Sequence, residues 1–404
     1  NWHCPRINMF YKYLTASIRY LSKNRLYGII NIVGLSISLA ACILINVYVQ
    51  GELGYDQQWE NADRIYRANF ITKRPGRPPQ PYPISSELML PALQQFFPAD
   101  IELSTRIYQA RIQQIAIEDA RYRDPIRFVD RDLISMFQME TLFGDLDSAF
   151  DDINSIALSE ESAIRYFGSN NPVGETLSGV LFDGELEEYE VVAVYRFPER
   201  NTVLDLPNMA LYDQATISGG DNTFESWLRI SAQTFVQLSP NTSADDFHQR
   251  IPELLDLYAS RPQSRLEAGQ TPSDVLGIEL QKVGDIYFNP IGFINLDQES
   301  GNETMVLVFM LISVLVVLIG CINFIVLATA LAERRRMDVA MRKVHGARPE
   351  QLLGQYLSES LLLTLVAFIV ALLAVVILLP FLESLLIKEL TLEFGEIGTW
   401  VSLV

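Results

Sequence analysis

Histidine, cysteine and carboxylate side chains are where this chain could carry reaction chemistry, and their spacing argues against it. The three histidines, His3, His248 and His345, are far apart in sequence, and no Cys/His cluster has the spacing of metal ligands. His248 is the sole histidine of residues 51–303, so a Ser-His-Asp arrangement there would have to use it. A surface histidine on a helix is the simpler reading. Adjacent carboxylates such as Glu160-Glu161 and Glu187-Glu188 are expected by chance among the 41 acidic residues of that segment, and they read as solvated. No Gly-x-x-x-x-Gly-Lys-Ser/Thr stretch occurs, so the sequence offers no phosphate-cradling loop. The sequence thus offers no catalytic residue, cofactor site or metal site, and a non-catalytic protein is expected.

One short stretch is organised differently. Met337, Ala340, Met341 and Val344 are spaced i, i+3, i+4, i+7, which predicts a helix with one apolar face. Arg334, Arg335, Arg342 and Lys343 flank that face. Gly346 is placed to end the helix in a left-handed cap. Pro349 then falls at the first position of a following helix, with Glu350 in its favourable first turn. The alternative is a solvated basic loop that only fixes topology.

The elements that position this corner are apolar runs. No acidic or basic residue lies between Arg25 and Glu52, between Glu303 and Glu333, or between Glu359 and Glu383. A spanning helix needs roughly 20 apolar residues to cross about 30 Å of hydrocarbon, and each run is long enough. The first carries Leu39-Ala40-Ala41-Cys42, which resembles a lipoprotein cleavage box. The apolar run continues past Cys42 through Ile43, Leu44, Ile45 and Val47, so an uncleaved helix is the favoured reading. Without ionisable residues the runs also argue against a proton or ion relay.

Charge sets the orientation. Residues 1–26 contain Arg6, Lys12, Arg19, Lys23 and Arg25 and no acid, and residues 332–356 are also basic, so both are expected on the cytoplasmic side. Residues 51–303 hold 19 basic against 41 acidic residues, a net −22, which suits an outer domain and disfavours binding to nucleic acid. Cys4, Cys42 and Cys321 all lie outside that domain, which must therefore stand without disulfides. Its length of about 250 residues is enough to bury a core unaided.

The expected fold class is an α-helical membrane protein with a mixed α/β extracytoplasmic domain between helices 1 and 2. The boundaries read as follows: an interfacial amphipathic segment 1–25, spans 26–51, 304–332 and 357–381, an outer domain 52–303, a cytoplasmic corner 333–356, and an outer connection 382–404. Met9 reads as a native start, with Phe10, Leu14, Ile18 and Leu21 recurring near helical spacing. Within the outer domain, strands are expected at Arg64 to Thr72, Tyr189 to Arg196 and Trp227 to Leu238, and a strand pair at Ile112 to Ile117 with Arg121 to Val129. Helices are expected at Ser85 to Phe97, at Ser159 to Phe167 between a Ser159 cap and Gly168, and at Ser243 to Tyr258 with Pro252 in its first half. Pro75 to Pro83 reads as a loop, and no internal repeat is visible.

Three stretches in order carry a family resemblance. The first is Tyr13-Leu14-Thr15-Ala16-Ser17-Ile18-Arg19 leading into Asn31-Ile32-Val33-Gly34-Leu35. The second is Asn154-Ser155-Ile156-Ala157-Leu158-Ser159-Glu160, then Tyr166-Phe167-Gly168 and Asn171-Pro172-Val173-Gly174-Glu175-Thr176-Leu177. The third is Arg342-Lys343-Val344-His345-Gly346-Ala347 with Gln355 and Ser358-Glu359-Ser360; His345 and Arg348 depart from the pattern there. The chain resembles, from about Met9 onward, the permease subunit of ABC transporters of the MacB/FtsX type.

That resemblance implies four spans, so Trp400 to Val404 would open the fourth, and the sequence would be a truncated permease or the first half of a duplicated one. It implies ATP bound by a separate ATPase subunit and no cofactor in this chain. It implies a second permease copy or half, an inner-membrane location, and room for a periplasmic adaptor. The segment Glu333 to Val344 would be the coupling element, with Glu333, Met337, Ala340, Met341, Arg342, Lys343, Val344, Gly346 and Ala347 as ATPase-coupling residues. Movement would pass to the outer domain by mechanotransmission, for export or efflux of peptides, antibiotics or lipoproteins. The alternative is a membrane-anchored sensor or regulator; its output domain could not fold from the cytoplasmic residues between spans. An ectoenzyme would need a catalytic constellation that the sequence does not offer.

Overall fold

A computed structural model describes residues 25–108, 112–181, 186–196, 201–213, 217, 226–259, 269–291, 300–334, 336–346 and 349–386. The expected interfacial segment 1–25, apart from Arg25, and the start of a fourth span lie outside these residues. The chain forms two compact units, Gly54–Gly301 and the helices that flank it in sequence.

The flanking unit contains α1 (Arg25–Leu53), and its remaining helices follow the outer segment in the chain. In Gly54–Gly301 the strands are β1 (Ile65–Thr72), β2 (Gln80–Tyr82), β3 (Ser85–Ser86), β4 (Ile101–Tyr108), β5 (Ile112–Ile117), β6 (Ala120–Tyr122) and β7 (Arg127–Val129). They continue as β8 (Glu140–Gly144), β9 (Ser155–Ser159), β10 (Thr176–Leu181), β11 (Leu186–Arg196), β12 (Asn208–Leu211), β13 (Ile230–Leu238) and β14 (Leu276–Lys282). The helices among them are α2 (Met89–Phe96), α3 (Asp132–Phe137), α4 (Glu160–Phe167), α5 (Ala244–Tyr258) and α6 (Pro272–Val275). Then come α7 (Glu303–Arg334), α8 (Arg336–Val344) and α9 (Pro349–Leu386).

The strands join in one sheet ordered β14-β1-β13-β4-β7-β12-β9-β11-β10-β5-β6, with β2 on β1, β3 on β13 and β8 on β11. Pairings are antiparallel except β7 with β12 and β9 with β11. Helices α2 and α5 cover the β1, β13 and β14 end through Phe97, Phe247, Leu93 and Leu254, and α4 covers the β9 to β11 end through Ala163 and Tyr166. A third cluster, with Phe137, Tyr195 and Phe235 at its centre, fills the region between. No disulfide supports this sheet, and apolar burial of this extent replaces one.

Local signals fared well. The Ser159 hydroxyl accepts from the Ser162 N–H at 3.2 Å, and Gly168 closes α4 at φ 64°. Ser243 caps α5 in the same way, but Pro252 falls at the ninth of its fifteen positions, past the middle. The strand expected from Arg121 to Val129 is two strands, because Asp124-Pro125 breaks it: β6 pairs with β5, whereas β7 leaves to pair with β4 and β12. Gln80 to Tyr82, expected as loop, pairs with the end of β1, where Pro81 needs no donor of its own. The helix expected from Ser85 starts only at Met89, since Ser85 and Ser86 pair with β13. Strands β4, β8, β9, β10, β12 and β14 have no counterpart in the sequence reading.

In the flanking unit α1, α7 and α9 are each long and apolar enough to cross a membrane. Helix α9 is longer than the uncharged run. Nothing between Pro349 and that run interrupts it, so corner helix and span are one helix. Its apolar stretch Leu352–Leu382 therefore includes Glu359, which is buried, contrary to the expectation of spans without ionisable groups.

Helix α1 packs against both α7 and α9. Toward α7, Gly34 lies against Asn323, Ser38 against Gly320, and the Ser313 hydroxyl is 3.1 Å from the Cys42 sulfur. The numbers rise on one helix as they fall on the other, so this pair is antiparallel. Toward α9, Ala40, Ile43 and Val47 cluster with Ala371 and Val375, and the Ser36 hydroxyl reaches the Ala367 carbonyl at 2.9 Å. Positions 34 and 36 stand about 200° apart around a helix of 3.6 residues per turn, so the two stripes occupy opposite sides of α1. In lipid, small residues allow such close approach and dispersion contacts supply the attraction.

A Cβ on Gly320 would lie 2.6 Å from the Ser38 oxygen and 2.7 Å from its Cβ. Gly320→Val is therefore expected to overpack the α1–α7 seam by about 1–3 kcal/mol and lower the melting temperature of the purified membrane protein. Leu318→Val, on the exposed side of α7, should leave that temperature unchanged.

Candidate coupling surface and the neck of the outer domain

Helix α8 presents its apolar stripe outward. Met337, Met341 and Val344 are 77%, 59% and 83% exposed, and Ala340 is exposed beside them. A short amphipathic helix ordinarily turns such a face to a core, and here Val339 is half-buried while the residues of the stripe are exposed. Lys343 is exposed at the edge of the stripe, and Arg342 lies within the helix. Gly346 adopts φ 85° as expected, and its N–H donates to the Lys343 carbonyl at 3.0 Å.

The Glu333 carboxylate, at the end of the described stretch of α7, pairs with Arg336 of α8 at 3.3 Å, and Arg335 between the two helices lies outside the described residues. Ala347, and Arg348 beside it, lie outside the described residues. His345, which departs from the family pattern, has a structural role. Its N–H and its Nδ1 both bond the Met341 carbonyl, at 3.2 and 2.8 Å, satisfying one of the acceptors that a helix end leaves open.

A second arrangement, not found from sequence, lies where the chain enters and leaves the outer unit. Tyr55 stacks on Tyr287 with ring centroids 3.5 Å apart and planes within 7°. The Gly301 N–H donates to the Tyr287 carbonyl at 2.8 Å, so the outgoing chain is tied to the same residue that the incoming chain stacks on. Next to Tyr55, Asp56 is fully buried at φ 54°. Its carboxylate accepts from the Thr202 hydroxyl, from the Val203 N–H at 3.0 Å and from the Trp59 indole N–H at 3.1 Å. The left-handed turn directs the carboxylate inward, and the donors compensate its burial in part. Nearby, Arg67 is enclosed with Asn69 and Gln281, and Gln281 donates to the Asn289 carbonyl at 2.7 Å. Burial lowers the Arg67 guanidinium to about 10. Such partners lie far apart in sequence and give no local signal.

Other polar groups of the outer unit are paired with one another. Glu160 grips Arg196 through two bonds of 2.8 Å, and Glu187 accepts from the Tyr189 hydroxyl at 3.0 Å. Asp130 holds Arg106 at 2.7 Å, and that guanidinium stacks over Tyr212. His248 is exposed on α5. Among the described residues no group of histidine, cysteine and carboxylate side chains could hold a metal ion.

Apolar membrane helices joined in one chain to a large mixed α/β unit define the class: a multi-span membrane protein with an extracytoplasmic domain. The profile of the MacB-like periplasmic core domain matches residues 29–254, and that of the FtsX-like permease C-terminal region matches residues 310–403. The chain belongs to the MacB/FtsX family of ABC-transporter permeases, which implies an ABC ATPase as partner. Three solved structures are similar to it. A domain of a putative permease from Porphyromonas gingivalis is 18% identical, with a TM-score of 0.46, covering 62% of this chain and 98% of that one. The periplasmic region of MacB from Actinobacillus actinomycetemcomitans is 11% identical, with a TM-score of 0.34 and coverage of 56% and 94%. The extracellular domain of the noncanonic ABC-type transporter YknZ from Gram-positive bacteria is 12% identical, with a TM-score of 0.36 and coverage of 53% and 99%. No curated protein matches the chain.

Burial is the first cause that raises the Asp56 carboxyl above its ordinary value, and the three donors only lower it again in part. A carboxyl raised by folding takes up a proton on folding. Its contribution to stability is full below the unfolded value of about 3.9 and is lost as pH rises through the folded value. Asp56→Asn removes that titration. As pH falls from 7 toward 4.5, the melting temperature of the wild type is expected to improve relative to Asp56→Asn; a constant difference across this range would contradict the assignment.

Proposed function

We propose that this chain is the permease subunit through which a separate ABC ATPase moves an extracytoplasmic domain. The observation that carries the reading is the exposed Met337-Met341-Val344 stripe on α8, at a corner closed by Gly346 and by Pro349 as the first residue of α9. Burying each of these side chains against a partner contributes about 1.5–3 kcal/mol, enough for a small helix to anchor a contact. Lys343 and the Glu333–Arg336 pair would form its polar rim.

The transmission path follows from connectivity. Helices α7, α8 and α9 follow one another in the chain within a few residues. A push on α8 therefore reaches both α7 and α9, and both pack on α1. Helix α1 leads through Tyr55 and Asp56 into the outer unit, where Tyr287 and Gly301 tie the chain that returns to α7. Incoming and outgoing segments are thus held together where they join the domain. In this reading the protein lies in the inner membrane with its N-terminus cytoplasmic and works as a dimer of permease copies or halves. It acts by mechanotransmission in the export or efflux of peptides, antibiotics or lipoproteins, with a fourth span completing the bundle.

The test uses the full-length protein in nanodiscs with the ABC ATPase encoded beside its gene. Met337→Glu places a charge in the stripe, and Gly346→Pro forces a backbone angle of about −65° where +85° is needed. Either is expected to weaken association or coupled ATP hydrolysis at least tenfold while the outer domain keeps its melting transition. Wild-type behaviour of both variants, or no association of the wild type, would remove the coupling role and favour a stand-alone sensor.

A further inference from the structure

The outer unit is strongly acidic, yet one stretch of it is not. Between Asp63 and Glu87 there is no acidic residue and there are five basic ones, Arg64, Arg67, Lys73, Arg74 and Arg77. Arg64 is paired with Glu102, and Arg67 is enclosed in its polar cluster. The other three belong to the connection from β1 to β2. That connection is a tight turn: the Arg77 N–H donates to the Arg74 carbonyl at 3.1 Å, with Pro75 second and Gly76 third at φ 73°. Proline there presets its own angle, and a positive φ at the third position suits glycine, which is the pattern of a type II turn. Arg74 and Arg77 thus stand at the two ends of a stiff turn. Both are exposed, and among the described residues neither guanidinium has a hydrogen bond or ion pair.

Beside this turn lies a groove of about 420 Å³, its walls formed by Thr72, Lys73, Arg74, Pro75, Leu228, Val275 and Leu276. The apolar wall continues into the core cluster that holds Trp227 and Leu276. Lys73 is engaged, its ammonium donating to the Ser273 carbonyl at 2.8 Å. The nearby acids are engaged too: Asp256 accepts from the Ser273 N–H and hydroxyl at 2.9 and 3.1 Å, and Asp274 from the Thr271 N–H at 2.8 Å. Arg74 lines the groove and Arg77 stands at the other end of its turn, and among the described residues both guanidinium groups are uncommitted.

We propose that this groove binds a single-chain anionic amphiphile. Its carboxylate or phosphate head is held by Arg74 and Arg77, and its acyl chain lies along Pro75, Leu228, Val275 and Leu276. Charge selects an anion, since guanidinium forks match carboxylate and phosphate oxygens. The committed backbone selects an acyl chain over a peptide. Thr72 pairs with Leu276 on one side and Gln80 on the other, the Lys73 N–H donates to the Val275 carbonyl at 2.7 Å, and Pro75 has no N–H. A peptide laid here would leave its own amides without partners, at a cost that an acyl chain does not incur. The volume falls within the range of small-molecule sites. The binding does not depend on the ATPase contact proposed above.

The test is photolabelling of the full-length protein in phosphatidylcholine nanodiscs with a dodecanoate carrying a terminal diazirine. Cross-links are expected on peptides containing Leu228 or Val275 and Leu276. Dodecanoate and dodecyl phosphate should both compete, while dodecanol and dodecyltrimethylammonium should not. If only one of the two anions competes, the head group is that one. In Arg74→Glu with Arg77→Glu the concentration for half-labelling should rise at least tenfold with the melting temperature unchanged, as both side chains are exposed. Leu228→Trp, which fills the groove without altering charge, should abolish the same cross-links. Labels confined to the membrane helices, equal competition by dodecanol, or wild-type labelling of the charge variant would overturn the proposal. Stronger competition by an acidic peptide than by dodecanoate would overturn it in favour of a peptide site.

Discussion

Close approach of helices through small residues is the constraint on which the membrane unit depends. In hydrocarbon each helix satisfies its own backbone, and lipid tails are as apolar as leucine side chains, so helices gain little from hiding apolar surface in one another. Attraction must come from short-range contact. Gly34, Ser36, Ser38 and Ala40 make α1 narrow, and Gly320, Ala367 and Ala371 do the same on the facing helices. Hydroxyl groups serve the same end, since Ser38 returns its bond to the Gly34 carbonyl and stays thin. Polar residues that make α1 less apolar than its neighbours are thus the residues that seat it between them.

The outer unit solves a different problem by a different means. Water surrounds it, cysteines are absent from it, and a long sheet of short strands must be held by burial alone. Aromatic side chains carry much of that burial: Phe97 stacks on Phe247, and Phe137 meets Phe235 and Trp59 edge to face. Charged groups that the sheet encloses are matched in place, as Arg106 is by Asp130 and by the Tyr212 ring. The neck combines both strategies, with a stacked tyrosine pair beside a buried carboxylate. Its rigidity comes from directional bonds, which resist rotation where apolar contact alone would slide.

What the sequence disclosed depended on how local the cause was. The caps of α4, the left-handed Gly346 and the three apolar runs are set by neighbours within a few residues, and they were readable in order and position. Strand β4 was not, because Ser104, Thr105 and Arg106 look like exposed residues until Gln94, Asp130 and Asp132 arrive from elsewhere to satisfy them. The break between β6 and β7 hid behind a run of strand-forming residues, and only Pro125 marked it. At the corner before α9 the apolar spacing revealed the face of α8. The neck and the groove unite residues from opposite ends of the domain, beyond the reach of any pattern along the chain.

The thin α1 seams carry a thermal consequence. Removing apolar surface from water changes heat capacity, and the stabilisation it gives weakens on cooling. Helices that separate within lipid expose that surface to hydrocarbon instead, so their association carries little such change. The outer unit, closed by burial from water, follows the curved stability of a water-soluble domain. One polypeptide therefore contains two parts with different temperature laws: chilling loosens the sheet while the helix bundle keeps its grip.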